Sequence, residues 1–167
     1  MVATAGFINL APELSNVTYG EFRKRSAPDQ FANGAPPADT PQSRVIVQDL
    51  RTLFSDAQRL SVTFRFQPDS SALDARGAAD FDRLVAWSRE PANAKRQVVL
   101  VGYSSSVGSF APNVSLSRGR ADALAARLQA AGLRVASTIG AGPLSAVACN
   151  ADARGQALNR RVEVWAK

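Results

Sequence analysis

Three consecutive serines, Ser104, Ser105 and Ser106, lie in a small-residue loop running from Gly102 to Ser109. Hydroxyls in a row suggest either a nucleophile or a polar rim for a ligand. A serine becomes a nucleophile only beside a base. The 167-residue chain has no histidine, so a Ser–His–Asp triad and any histidine-based zinc centre are excluded. A Ser–Lys pair would need Lys95 or Lys167, and nothing in the sequence brings either to the loop. No pair of carboxylates is set out for sugar hydrolysis. Cys149 is the one cysteine, so no intrachain disulfide can form; it reads as a small, apolar, buried or half-buried residue. Neither catalysis nor a metal nor any other cofactor is expected.

The elements around the loop favour binding. Val98 to Val101 is apolar and mostly β-branched, which is strand chemistry, and an Ala/Leu/Arg-rich helical pattern follows from about Pro112 to Ala131. A strand that ends in an open polar loop feeding a helix is a common ligand-site design, and equally a common plain connection. Ala121, Leu124, Ala125 and Leu128 form the buried stripe of that helix, and Gly132 stands where a left-handed cap belongs. Upstream, LSVTFRF alternates over Leu60 to Phe66, a half-buried strand. Gln67–Ser70 is a turn in which Ser70 or Ser71 can cap the next helix. Leu73, Gly77, Phe81, Leu84, Val85 and Ser88 then recur at helical spacing, with Asp80, Asp82 and Arg83 outside, Trp87 at the edge and Pro91 as terminator. Val135–Ile139 and Arg161–Trp165 are the remaining strands; residues 144–158 form a longer polar segment with room for a helical turn. The order β-α-β-α-β-β predicts an α+β two-layer sandwich, a mixed four-stranded sheet with helices packed on one face.

Ahead of this domain, residues 26–42 hold four of the nine prolines and read as a linker. Thr40 followed by Pro41 predicts a helix start, and Ile46, Leu50, Leu53, Phe54 and Ala57 share one face of a helix expected to pack on the domain that follows. The division is therefore 1–42 terminal segment and linker, 43–59 connecting helix, and 60–167 principal domain. No apolar run reaches the roughly 20 residues of a membrane helix. Met1–Leu14 lacks the basic start and apolar core of a signal peptide. Net charge is +6. That favours polyanions, although no stacking motif, zinc module or dense Lys/Arg run points to nucleic acid.

Three stretches together resemble the OmpA-like domain, the peptidoglycan-associating module of bacterial envelope proteins. They are Gly102-Tyr103-Ser104-Ser105 through Gly108; Asn113 with Leu116-Ser117 and Arg120-Ala121; and Asn159-Arg160-Arg161-Val162-Glu163. FRF followed by SSAL matches the family's opening strand and helix, so the likeness runs from about Leu60 to the C-terminus. The resemblance implies a periplasmic or envelope location in a Gram-negative bacterium and a site for the zwitterionic end of diaminopimelate in the peptidoglycan stem peptide. In the family an aspartate accepts from the ammonium and a helix arginine grips the carboxylate through its two-pronged fork. Arg120 stands at the arginine, and Ser105 stands at the aspartate. A hydroxyl carries no charge, so binding is expected to be weakened. Asp69 and Asp152 are candidate substitutes.

Asn113 either touches the peptide or braces the helix start. Tyr103 reads as packing more than contact, and Gln67 could reach the same groove. Of Arg160 and Arg161, one should face the groove, because strand neighbours alternate. Gly102 and Gly108 let the loop turn. Near the N-terminus, Gly6-Phe7-Ile8 and Leu10 resemble the tail of a phosphate-type periplasmic substrate-binding domain, which implies a fusion with a substrate-binding protein. The alternative functions are a structural or dimerisation domain, acting as a homodimer without wall binding, and a basic polyanion binder.

Overall fold

A computed structural model describes residues 40–67, 70–148 and 150–167. The expectations placed on residues 1–39, Pro68, Asp69 and Cys149 lie outside the described residues. Eight elements follow in order: α1 (Pro41–Asp56), β1 (Gln58–Arg65), α2 (Ala75–Arg89), β2 (Val98–Tyr103), α3 (Phe110–Ala130), β3 (Val135–Gly142), α4 (Ala153–Asn159) and β4 (Arg161–Ala166). They form the expected α+β architecture around one mixed sheet of order β1-β4-β2-β3. β4 lies antiparallel between β1 and β2, and β2 pairs parallel with β3.

Local chemistry sets most boundaries. Thr40 Oγ1 accepts from Ser43 N at 3.1 Å while Ser43 Oγ accepts from Thr40 N at 2.9 Å, a capping box behind Pro41. Gly132 takes φ +94° and closes α3, with Gly132 N donating to Gln129 O and Leu133 N to Leu128 O, each at 2.9 Å. Glu90, ahead of Pro91, is extended, and α2 stops there. The cap of α2 is Asp74, not Ser70 or Ser71. Its Oδ1 accepts from Gly77 N at 2.7 Å, and Ser70 Oγ accepts instead from Ala72 N at 3.1 Å. The polar segment after β3 contains more than a turn: Asp152 Oδ1 accepts from Gly155 N at 2.7 Å and starts the seven-residue α4.

Two apolar clusters flank the sheet. On one side Leu60, Val62, Phe64, Val98, Leu100, Val162 and Val164 meet Leu84 of α2 and Ala121, Leu124 and Leu128 of α3. On the other, Val99, Val101, Tyr103 and Trp165 meet Ile46, Leu50, Leu53 and Phe54 of α1. The connecting helix thus packs on the domain as expected, and it does so on the sheet face opposite α2 and α3. The rings of Phe54 and Trp165 lie 4.7 Å apart. β2 and β4 are buried along their whole length because both their faces are covered. Two expectations for α2 are corrected. Trp87 is fully buried, because the following loop folds over it: Asn93 Nδ2 donates to Trp87 O at 3.1 Å and the Arg96 guanidinium lies 5.6 Å from its ring. Asp80 is buried as well, paired with Arg83, whose guanidinium remains exposed.

The approach of α3 to the sheet depends on glycine. A Cβ on Gly102 would stand 2.7 Å from the Ser117 carbonyl carbon and closer still to its oxygen, and one on Gly140 would stand 2.6 Å from Val114 O. Gly102 is therefore a strand residue that lets a helix backbone come close, rather than a loop hinge. β3 runs on to Gly142, beyond its expected end at Ile139, for the same reason: Gly140 and Gly142 let it continue beneath α3. Gly102→Ala should cost about 3 kcal/mol or more, since backbone must shift. Gly119→Ala, on the same helix where a Cβ meets nothing within 4 Å, should stabilise by about 0.5–1 kcal/mol. Urea unfolding of both variants checks the pair.

Candidate functional site

Asn113, Ser117 and Arg120 are spaced i, i+4 and i+7 along α3 and so share one stripe. All three are buried. The middle member is locked to the sheet, since Ser117 Oγ accepts from Gly142 N at 2.9 Å and donates to Val114 O at 2.9 Å. At one end Asn113 Nδ2 donates to Val107 O at 2.7 Å and Ser109 O at 3.0 Å, so the asparagine braces the serine loop. Ser109, the residue ahead of α3, makes no side-chain cap bond of its own. At the other end Arg120 donates from Nε to Ser70 O at 3.3 Å and from Nη2 to Gln67 O at 3.1 Å, with its guanidinium 5.8 Å from the Phe66 ring. The stripe spans about 10 Å at 1.5 Å per residue. It joins the loop after β2 to the loop after β1.

Arg120 is 2% exposed. An arginine that deep must have its donors met, and here backbone carbonyls of the 67–70 turn meet two of them. Gln67 contributes its carbonyl to this clamp, and its side chain is exposed. The three serines face inward. Ser104 N donates to Gly142 O at 2.8 Å, extending the β2–β3 pairing, and Ser104 Oγ donates to Ser105 O at 2.9 Å. Ser106 N donates to Asn150 Oδ1 at 3.2 Å.

Arg161 and Tyr103 are placed elsewhere. Tyr103 belongs to the α1-side cluster, and the Arg161 guanidinium stacks 3.9 Å from its ring. Arg161 Nε donates to Glu163 Oε1 at 2.9 Å and Nη2 to Ser145 O at 2.9 Å. Arg120 lies over Phe66 in the opposite cluster. The sheet therefore separates the two guanidinia, because Arg161, Glu163 and Trp165 alternate away from Val162 and Val164. Arg160 is half-buried, with its carbonyl accepting from Phe66 N at 3.3 Å. Asp152 is exposed and occupied as the α4 cap.

Two residues outside the nominated set organise the loops. Asn159 Oδ1 accepts from Val147 N at 2.8 Å and Ala148 N at 3.2 Å, while its Nδ2 donates to Ala148 O at 2.8 Å and to Asn150 Oδ1 at 2.9 Å. Asn150 passes this support to Ser106. Asn159 stands in a motif that is visible in the sequence, but its partners come from a segment whose path the sequence does not reveal. Ser145 is the one described non-glycine residue with positive φ, at 55°, and its carbonyl is held by Arg161. A cleft of about 410 Å³ opens between α1, α3 and β3, lined among others by Val45, Asp49, Arg118 and Ile139, and none of the nominated residues lines it. Among the described residues no cluster of His, Cys, Asp or Glu could hold a metal ion, and no helix is long and apolar enough to cross a membrane.

Comparison with known proteins agrees with this geometry. A probable lipoprotein of Escherichia coli, YiaD, is 35% identical over 101 residues, covering 59% of this chain and 45% of the relative. Outer membrane protein A of Bordetella avium is 32% identical over 135 residues, covering 79% of this chain and 65% of the relative. The chain thus spans less than two thirds of either relative's length. Among solved structures, the cell wall anchor of the T6SS from Pseudomonas aeruginosa superposes with a TM-score of 0.50 at 26% identity, covering 74% of this chain and 94% of that one. The model of the OmpA family matches residues 65–160, more than half of the sequence, so this chain belongs to the OmpA family.

Proposed function

We propose that the domain is a non-catalytic cell-envelope module that associates with peptidoglycan through the α3 stripe. It would take the peptide stem in the groove between Ser104–Ser106, Asn113 and Arg120, and so tether its parent protein to the wall. The observation that carries this reading is the placement of Arg120. A family member brings its helix arginine to the turn after β1, on the same helical stripe that braces the serine loop. The likeness to a structure described as a cell wall anchor supports it. A carboxylate is the natural partner for a guanidinium fork. The ammonium of a diaminopimelate has only the Ser105 hydroxyl where the family supplies a carboxylate, so affinity is low. A periplasmic or envelope location follows from this role; fusion to a substrate-binding protein through residues 1–42 rests on the likeness of Gly6-Phe7-Ile8 and Leu10 alone.

A second reading has its own observation. Ser104, Ser105, Ser106 and Arg120 are all buried, and Ser104 Oγ and the arginine donate to backbone carbonyls. A structural or dimerisation domain without wall binding would look like this. Sedimentation and pull-down on intact sacculi separate the two: a monomer that pellets with sacculi supports the wall module, and a dimer left in the supernatant supports the alternative.

Titration with a soluble stem peptide tests the groove. Arg120→Ala should abolish measurable binding, and unchanged affinity places the site elsewhere. Ser105→Asp restores a charge opposite the ammonium and should strengthen binding by roughly 2–5 kcal/mol, about 30-fold or more. Asn159→Ala touches no ligand. It should still weaken binding several-fold while amide exchange of Ser106, Val147 and Ala148 accelerates, because the loop loses about 1–3 kcal/mol of hydrogen-bond support.

A further inference from the structure

The cleft of about 410 Å³ opens at the β3 end of the sheet, with one helix contributing from each side. On α1, Val45, Ile46 and Asp49 are spaced i, i+1 and i+4. On α3, Val114 and Arg118 are spaced i and i+4. Each helix therefore turns one stripe toward the same space. Ile46, Val114 and Ile139 extend the apolar cluster beneath α1 into its floor, and Val45 is 61% exposed on its wall. The volume falls toward the lower end of the roughly 300–1,000 Å³ usual for small-molecule sites, which combine an apolar lining with a few polar groups.

The polar groups here are of opposite sign and come from different helices. Asp49 is exposed on α1, and the Arg118 side chain is 61% exposed on α3. Thr138, also in the lining, donates through Oγ1 to Asp122 Oδ1, and Arg118 Nε stands 4.0 Å from Asp122 Oδ2. That distance is too long for a hydrogen bond, so the ion pair keeps the guanidinium in place without engaging its Nε–H. An ammonium suits the Asp49 carboxylate, and a carboxylate suits the Arg118 fork. A ligand carrying both on an apolar body matches all three parts of the lining.

We propose that this cleft binds a small apolar zwitterion of amino-acid or dipeptide size, with Asp49 taking the ammonium and Arg118 the carboxylate. This goes beyond the stem-peptide groove and does not depend on it, since neither Ser105 nor Arg120 lines the cleft.

The test follows the backbone amide resonances of Val45, Thr138, Ile139 and Gly140 in the whole chain during titration with L-leucine and with leucyl-leucine. N-acetyl-leucine lacks the ammonium, leucinamide lacks the carboxylate and glycine lacks the apolar body. The expected result is a saturable shift with leucine or leucyl-leucine, weakened about ten-fold with each of the three controls. Asp49→Asn should abolish the preference for leucine over N-acetyl-leucine, and Arg118→Gln the preference over leucinamide, each leaving the other preference in place. No saturable shift with either probe, equal affinity for the controls, or preferences that survive both substitutions overturns the proposal. Shifts of the same amides with protein concentration alone place a second copy in the cleft and also overturn it. Both substituted side chains are exposed, and the wild-type preferences decide even where a variant folds poorly. Arg120→Ala should leave leucine binding unchanged, so the result stands whether or not Arg120 holds a stem peptide.

Discussion

The closeness of α3 to β2 and β3 is the constraint from which the rest follows. Helix backbone and strand backbone can approach this far only where no Cβ intervenes, and Gly102, Gly140 and Gly142 provide that seam. Once seated, α3 cannot rotate. Ser117 closes the seam by accepting from the Gly142 amide, and the residues four before and three after it are then aimed at the two loops that flank the seam. The position of Arg120 is thus a consequence of packing settled several residues away.

The sheet also sorts the charged residues by face. On β4, Val162 and Val164 face α2 and α3, whereas Arg161 and Glu163 face the side shared with α1. A charge buried alone would cost several kcal/mol, so the arginine is stacked on Tyr103, paired with Glu163 and bonded to the Ser145 carbonyl. Ser145 keeps its left-handed backbone because this bond, together with the turn after β3, over-determines it. The same alternation puts Arg65 of β1 on that side too, where the register sets it directly opposite Arg161.

Much of the scaffold was legible because it is encoded within a few residues. Thr40-Pro41, Gly132 and the alternation of Leu60 to Phe66 each carry their own physical reason, and each appears where it was expected. The misreadings share a cause. Asp80 and Trp87 seemed outward or marginal from helical spacing, yet the loop after α2 closes over the tryptophan and the aspartate is buried in its pair with Arg83. Gly102 read as a loop device because the helix backbone opposite it lies fifteen residues downstream. α4 was reduced to a turn because seven residues show too little periodicity. For the site, the residue types of the serine loop, Asn113 and Arg120 were readable. The carbonyls that hold Arg120 and the asparagine pair beneath Ser106 were not.

From its residues alone, this protein is a non-histidine, single-cysteine α+β domain, with a serine loop, a helix arginine and a serine in place of the family's acid. Those properties belong to composition, short spacing and motif order, and no folding is needed to know them. The tertiary structure decided which groups share a face. It set Arg120 and Arg161 on opposite sides of one sheet, turned the serines inward and left the Nε–H of Arg65 without an acceptor among the described residues. Alternation along a strand says that neighbours part company, but only the pairing register and the element packed above determine which surroundings each one meets.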